Sequence, residues 1–272
     1  MTVDVSKQKL PAEVGDQHAS LNFSVGVAFF LLCLVLHHYV SRRVCLRRFK
    51  SYSELTWQLQ MEWDSRIVSS LHATLVTLLS AYALAFEEPL WSDKISQPTK
   101  LGGVTLSISA AYMLADAISM PIYWRDVNLL VFWLHHGVAA LCFWICTSRG
   151  ILHFFALFRL LSEMSTPFLN VNWYNRLCNV SVGSLLSLGN SVCLSSSYLA
   201  CRLLVIPVYW YYFAETTRTA EFNRLVSEAD AVLIVWISSS LLLDVLNIYW
   251  ARSILIGSLR TVATGLRLRL MV

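Results

Sequence analysis

The sequence predicts an all-α membrane protein that crosses the bilayer about seven times. Of its 272 residues 56% are hydrophobic and only 14% charged. The mean hydropathy is +0.56, and apolar stretches of roughly 20 residues, enough for a helix to span the hydrocarbon, recur along the chain. Soluble domains carry about a quarter charged residues, so a water-soluble fold is excluded. The net charge of +4 does not point to nucleic acid, because Lys and Arg gather in short loops beside apolar stretches, where orientation signals sit.

Residues 1–21 read as a polar tail and residues 22–40 as the first span. No small-residue cleavage site marks that span for removal, so it is expected to stay as an anchor. Further spans are predicted at Arg66 to Phe86, Val104 to Tyr123, Asn128 to Thr147, Ile151 to Phe168, Val180 to about Tyr209, and Ala229 to Trp250. The sixth stretch holds Arg202 and Pro207, and reads either as one tilted, kinked helix or as a span plus an interfacial turn. A basic tail, 258–272, closes the chain.

Trp57, Trp63, Trp91, Trp124, Trp173, Trp210 and Trp250 fall near span ends, as in the aromatic belts of membrane interfaces. The seven cysteines have no paired spacing and read as small buried hydrophobes. Arg42, Arg43, Arg47, Arg48 and Lys50, then Arg125, Arg176, Arg252, Arg260, Arg267 and Arg269, share one side of a seven-span chain. The positive-inside rule puts that side in the cytosol, with the amino terminus lumenal and the carboxyl terminus cytosolic.

Ionisable groups inside spans cost several kcal/mol each and usually face a bundle interior or a wet cavity. Here they are His72, Asp116, His135, His136, Arg159, Glu163, Arg202 and Asp244. At about 1.5 Å of rise per residue, the three histidines lie roughly 9 to 12 Å from the basic side, and Asp116, Glu163 and Asp244 about 8 to 11 Å. Six titratable groups at one depth predict a polar pocket. Arg159 lies one turn from Glu163, which predicts an ion pair within the helix. Arg202 is expected to snorkel at the opposite interface, and His37, His38 and His153 to be interfacial.

His135 and His136 diverge by about 100° on a helix, so one is expected to act and the other to position. A neutral imidazole held by Asp116 or Asp244 suits proton removal from an acceptor hydroxyl or amine. The same cluster reads equally well as a satisfied network that ties helices together. No histidine pair has one-turn ligand spacing, so no metal is predicted.

The segment Glu62-Trp63-Asp64-Ser65-Arg66 through His72, the pair His135-His136, the run Phe158-Arg159 through Ser162-Glu163 to Asn170 and Trp173, and Leu243-Asp244-Val245-Leu246-Asn247 together resemble the TLC family, the TRAM, longevity-assurance and ceroid-lipofuscinosis homology. The resemblance covers 57–257 and implies a six-helix barrel of spans two to seven, span one outside, and residence in the endoplasmic reticulum. Ceramide synthases of that family use a His-His pair to move an acyl group from acyl-coenzyme A to a sphingoid base. Where they carry paired aspartates, this chain has Ser162 and Glu163.

The expectation is lipid homeostasis through acyl transfer from acyl-coenzyme A to a sphingoid base or lysophospholipid. His135, His136, Asp116 and Glu163 are the catalytic candidates, and His72, Arg159, Asp244, Asn170 and Asn247 the substrate-binding ones. The expected partners are membrane lipids and fatty acyl-coenzyme A. The alternative is a non-catalytic protein that binds lipid and regulates membrane composition or trafficking. A transporter is disfavoured by the lack of an inverted repeat.

Overall fold

The computed structural model describes residues 12–123 and 129–270. Trp124, Arg125, Asn128, residues 1–11 of the tail and residues 271–272 lie outside them. Among the described residues every regular element is helical, as expected where no water is present to satisfy backbone N–H and C=O groups.

Helix α1 (Ala12–Val35) continues through a π turn, Leu36–Ser41, into Arg42–Arg48. Helix α2 (Trp57–Phe86) is capped by Thr56, whose hydroxyl accepts from the Leu59 N–H and satisfies one of the orphan donors of the first turn. Helices α3 (Lys100–Tyr123) and α4 (Leu129–Arg149) follow. Element α5 is composite: His153–Leu160, a 3₁₀ turn Leu161–Ser165, then Thr166–Leu177. Helix α6 (Leu185–Thr216) is capped by Ser184 and carries a π turn at Leu199–Leu204. Helix α7 (Ala220–Leu270) bends at Ala229, where φ is −150° and ψ 44°.

The helices close into a ring in the order α2, α3, α4, α7, α6, α5 and back to α2, and α1 packs outside against α3 and α4. One end of the ring is filled by Phe154, Phe155, Tyr209, Phe213 and Trp236. Phe155 meets Tyr209 and Phe213 edge-on at 5.4 and 5.7 Å between ring centres, the favoured aromatic geometry. The other end, where α1 runs out into Arg42–Arg48 and α5 into Arg176, is hollow; we call it the basic end.

Among the described residues six helices are long and apolar enough to span a membrane: α1, α2, α3, α4, α6 and α7. The expected fifth span is the composite α5, because Pro167 supplies no N–H for an uninterrupted ladder and stands in the first turn of the restarted helix. The sixth stretch is one helix. The seventh helix runs some twenty residues beyond Trp250, the expected end of the span.

The 3₁₀ turn explains a corrected pairing. Arg159 does not pair with Glu163, since the α periodicity between them is broken at Leu161. Its guanidinium instead forms a fork with both carboxylate oxygens of Asp244 and lies 3.8 Å over the Tyr209 ring. Trp210 donates its indole N–H to the same carboxylate at 2.7 Å. Trp63 departs from the belt as well: it is buried against Tyr52, Trp173 and Tyr174. Cys33, Cys45, Cys142 and Cys146 are buried as expected, whereas Cys178 and Cys193 are exposed.

Removing one partner of a buried ion pair costs about 3–5 kcal/mol, while replacing both by apolar groups is often neutral. Arg159→Met and Asp244→Leu are each expected to lower the melting temperature of the purified protein sharply, and the double variant to recover most of the loss. A double variant as unstable as the sum of the singles contradicts the pairing.

Candidate functional site

The hollow end of the ring holds a cavity of about 370 Å³ walled by α2, α3, α4, α5, α6 and α7. Of the expected catalytic residues, His135, His136, Asp116 and Glu163 all line it, and so does Asn170. His72, Arg159, Asp244 and Asn247 do not.

Its central feature is a polar chain across three helices. Ser65 of α2 donates its hydroxyl to Asp116 Oδ1 of α3 at 2.9 Å. The other oxygen, Oδ2, lies 3.0 Å from His136 Nδ1 of α4, within ion-pair reach but off the line of a hydrogen bond. Asp116 thereby sets a carboxylate oxygen beside the Nδ1 edge of the imidazole. Tyr112, one turn before Asp116, sets its ring 6.1 Å from the His136 ring.

His135 turns away from Asp116. Its ring meets Trp250 edge-on at 5.7 Å, and its Nδ1 is buried with no hydrogen-bond partner among the described residues. The adjacent histidines therefore have different surroundings, as the 100° step between neighbours on a helix requires.

Glu163 reaches the cavity from the 3₁₀ turn of α5. Thr166 donates to its Oε2 at 2.8 Å, and the Arg202 guanidinium stands 3.8 Å from its Oε1. Arg202 was expected at an interface but is buried in the π turn of α6. There it donates to Ser165 at 2.7 Å, to Asn247 at 3.0 Å and to Thr166 at 3.1 Å. The reason is length: α6 extends to Thr216, which puts Arg202 at mid-helix, and a charge there belongs inside the bundle. Asn247 accordingly serves Arg202 from behind the wall.

Arg66 is a cavity residue that the depth count missed, since it stands at the very start of the predicted second span. It is paired with Glu62 at 2.6 Å, donates to Asn170 Oδ1 at 3.0 Å and lies 4.6 Å over the Trp173 ring. Arg176, which is exposed, stands at the rim. His72 is sealed behind the wall, stacked on Tyr112 with 3.9 Å between ring centres and both nitrogens without a partner among the described residues.

Two further histidines are corrected. His37 is buried in the π turn of α1 and hydrogen-bonds the Met61 carbonyl at 3.0 Å, and His153 is buried at the aromatic end. Both were expected at interfaces, but α1 packs on the ring and α5 is part of it.

Among the described residues no group of three or more His, Cys, Asp or Glu is placed to hold a metal ion. The cavity offers instead a histidine backed by a carboxylate, two arginines held in polar networks, and an aromatic wall. That set suits proton transfer beside an acyl or lipid headgroup.

A family model described as the TLC domain matches residues 62–256. The chain is 29% identical over 230 residues to TLC domain-containing protein 4-B of Xenopus laevis, covering 85% of this chain and 87% of that protein. It is 28% identical over 218 residues to TLC domain-containing protein 4-B of Danio rerio, covering 80% and 81%. To TLC domain-containing protein 4 of Homo sapiens it is 23% identical over 246 residues, covering 90% and 92%.

Arg202→Lys keeps the charge but loses the fork that reaches Ser165, Thr166 and Asn247 together. It is expected to destabilise the purified protein by about 2–4 kcal/mol, read as a lower melting temperature. A variant that melts with the wild type contradicts the described network.

Proposed function

The chain belongs to the TLC-domain family, and from that premise we propose that it transfers a fatty acyl group from acyl-coenzyme A to a lipid acceptor, a sphingoid base or lysophospholipid, inside the ring. The observation that carries the reading is His136 Nδ1 at 3.0 Å from Asp116 Oδ2 on the wall of the cavity. An imidazole held at Nδ1 by a carboxylate keeps Nε2 as the basic atom.

In this reading Nε2 takes the proton from the acceptor hydroxyl or amine as that atom attacks the thioester carbonyl. The tetrahedral intermediate collapses with loss of the coenzyme A thiolate, which recovers the proton from the imidazolium. The new ester or amide and free coenzyme A balance the step. Asp116 orients the ring and stabilises its charged form, and Ser65 holds Asp116. His135, against Trp250, positions. Glu163, anchored by Thr166 and Arg202, supplies a fixed negative charge near the acceptor, and Asn170 with Arg66 shapes the mouth.

A second reading, a lipid-binding protein without turnover that regulates membrane composition or trafficking, is favoured by one observation. Arg66 and Arg202 of the cavity already have protein partners, as in a finished binding wall. We further propose residence in the endoplasmic reticulum membrane, which rests on the family resemblance, with the basic end cytosolic and the amino terminus lumenal, an orientation supported by the one-sided Arg and Lys distribution.

Purified wild type, His135→Ala, His136→Ala and Asp116→Asn, each incubated with isotope-labelled long-chain acyl-coenzyme A and a mixed lipid extract, separate the two readings by mass spectrometry of products. The expected result is a labelled lipid from wild type, a fall of about 10²–10⁴-fold for His136→Ala with normal melting, and smaller losses for His135→Ala. Equal turnover in both histidine variants removes the mechanism, and bound lipid without any product favours the second reading.

A further inference from the structure

Asp116 lines two cavities. One is the ring cavity, and the other is a small one between α1, α2 and α3, with a volume of about 10 Å³. Its walls include Cys33 of α1 and His37 of the π turn that follows, Ser65 and Val68 of α2, and Asp116 and Ser119 of α3. All six are buried, and the volume holds one water molecule. His37 enters this wall from the π turn Leu36–Ser41, a departure from the α ladder of the kind that recurs at functional sites. The ring of His37 is turned inward, at 5% exposure against 65% for Tyr39 two residues on. It also lies outside residues 62–256, which the TLC family model matches.

The hydrogen bonds around this space leave two acceptors and no donor between them. His37 Nε2 bonds the Met61 carbonyl at 3.0 Å. A carbonyl only accepts, so Nε2 carries the proton and Nδ1 of the neutral ring is a lone pair. Asp116 takes the Ser65 hydroxyl on Oδ1 at 2.9 Å and has His136 Nδ1 at 3.0 Å from Oδ2. An ionised carboxylate has about four lone-pair sites, so it accepts further. The neighbouring hydroxyls do not serve His37: that of Ser65 is given to Asp116, and that of Ser119 to the Ala115 carbonyl at 2.9 Å. Two acceptors on one cavity cannot bond each other. A molecule with two donors and the bulk of one water joins them.

We propose that the small cavity binds one water, which donates to His37 Nδ1 and to the Asp116 carboxylate, and that His37 is thereby a positioning residue for the Asp116 and His136 pair. What the pair does in turnover rests on the acyl-transfer reading, whereas the water site stands on the geometry alone. The polar chain then runs from the Met61 carbonyl through His37, the water and Asp116 to His136. The first helix, outside the matched domain, completes it. Ser65 by itself supplies one donor and leaves the carboxylate plane free to turn. A second donor from the α1 side fixes the plane that faces His136, and a small misplacement of such a group is costly in rate. Because His37 touches no substrate, its loss falls on kcat and spares KM.

Cryo-electron microscopy of the full chain in nanodiscs, at a resolution that shows ordered water, reads the site without any turnover. The expected result is one peak within about 2.7–3.2 Å of both His37 Nδ1 and an Asp116 oxygen. Val68→Ile, which adds one methyl group to the wall and leaves His37 and Met61 in place, should remove it. No peak in the wild type overturns the proposal. Kinetics with labelled acyl-coenzyme A and a lipid extract read the role. His37→Leu and Val68→Ile are expected to lower kcat about 5- to 50-fold with KM for acyl-coenzyme A unchanged and normal melting. His37→Gln, whose amide both donates to Met61 and accepts from the water, should stay within about twofold of wild type. If His37→Leu folds poorly, Val68→Ile decides alone. Wild-type kcat in Val68→Ile, or His37→Gln as slow as His37→Leu, overturns the positioning role. A wild type that shows the water but makes no product overturns the acyl-transfer reading and that role together, and leaves the water site established.

Discussion

The constraint on which this structure depends is that a charge inside hydrocarbon must find its partner inside the protein. Arg159 finds Asp244 across the ring, Arg202 finds Ser165, Thr166 and Asn247 with Glu163 at its edge, and Arg66 finds Glu62 and Asn170. Each pairing ties different elements: α5 to α7, α6 to both α5 and α7, α2 to α5. The ring closes where the charges require it, and the 3₁₀ and π turns of α5 and α6 supply the local departures that bring Glu163 and Arg202 to one level. Such turns leave part of the regular ladder unmade, a cost that recurs at functional sites in helical proteins.

The ring is asymmetric along its axis for a simple reason of side-chain size. At one end large aromatics fill the bore and meet edge-to-face. At the other, small and polar residues such as Ser65, Ser69 and Asn170 leave it open. The hollow end is also the basic end. A charged, water-soluble co-substrate and an apolar chain could therefore meet there, with the imidazole of His136 set at the boundary between them and backed by Asp116.

Much of this was legible in the sequence, because the bilayer reduces folding to a short list of allowed elements. Apolar length found the membrane helices, and counting depth from span ends put His135, His136, Asp116 and Glu163 at one level, where the cavity lies. Illegible were features that depend on where helices stop and how they bend. Pro167 and the 3₁₀ turn rotated Glu163 away from Arg159. The extra turns of α6 carried Arg202 from an apparent interface to the interior, and Asp244 turns to Arg159 and Trp210 behind the wall. His72 also sits at the right depth but on the wrong face, behind Tyr112, a distinction that depth alone does not carry. The burial of Arg202 had a readable signal: a lone arginine in the middle of a 32-residue apolar helix has no interface within reach.

The central claim is that the polar residues of the ring surround a real chamber that opens at the basic end and receives an acyl substrate. Ser69 lines that chamber, and the measurement that tests the claim most directly is labelling of Ser69→Cys by a membrane-impermeant thiol reagent, with exposed Cys178 and Cys193 replaced by Ser. The account predicts reaction from the basic side only, and protection by long-chain acyl-coenzyme A but not by coenzyme A alone. No reaction from either side, or reaction that acyl-coenzyme A leaves unchanged, contradicts it.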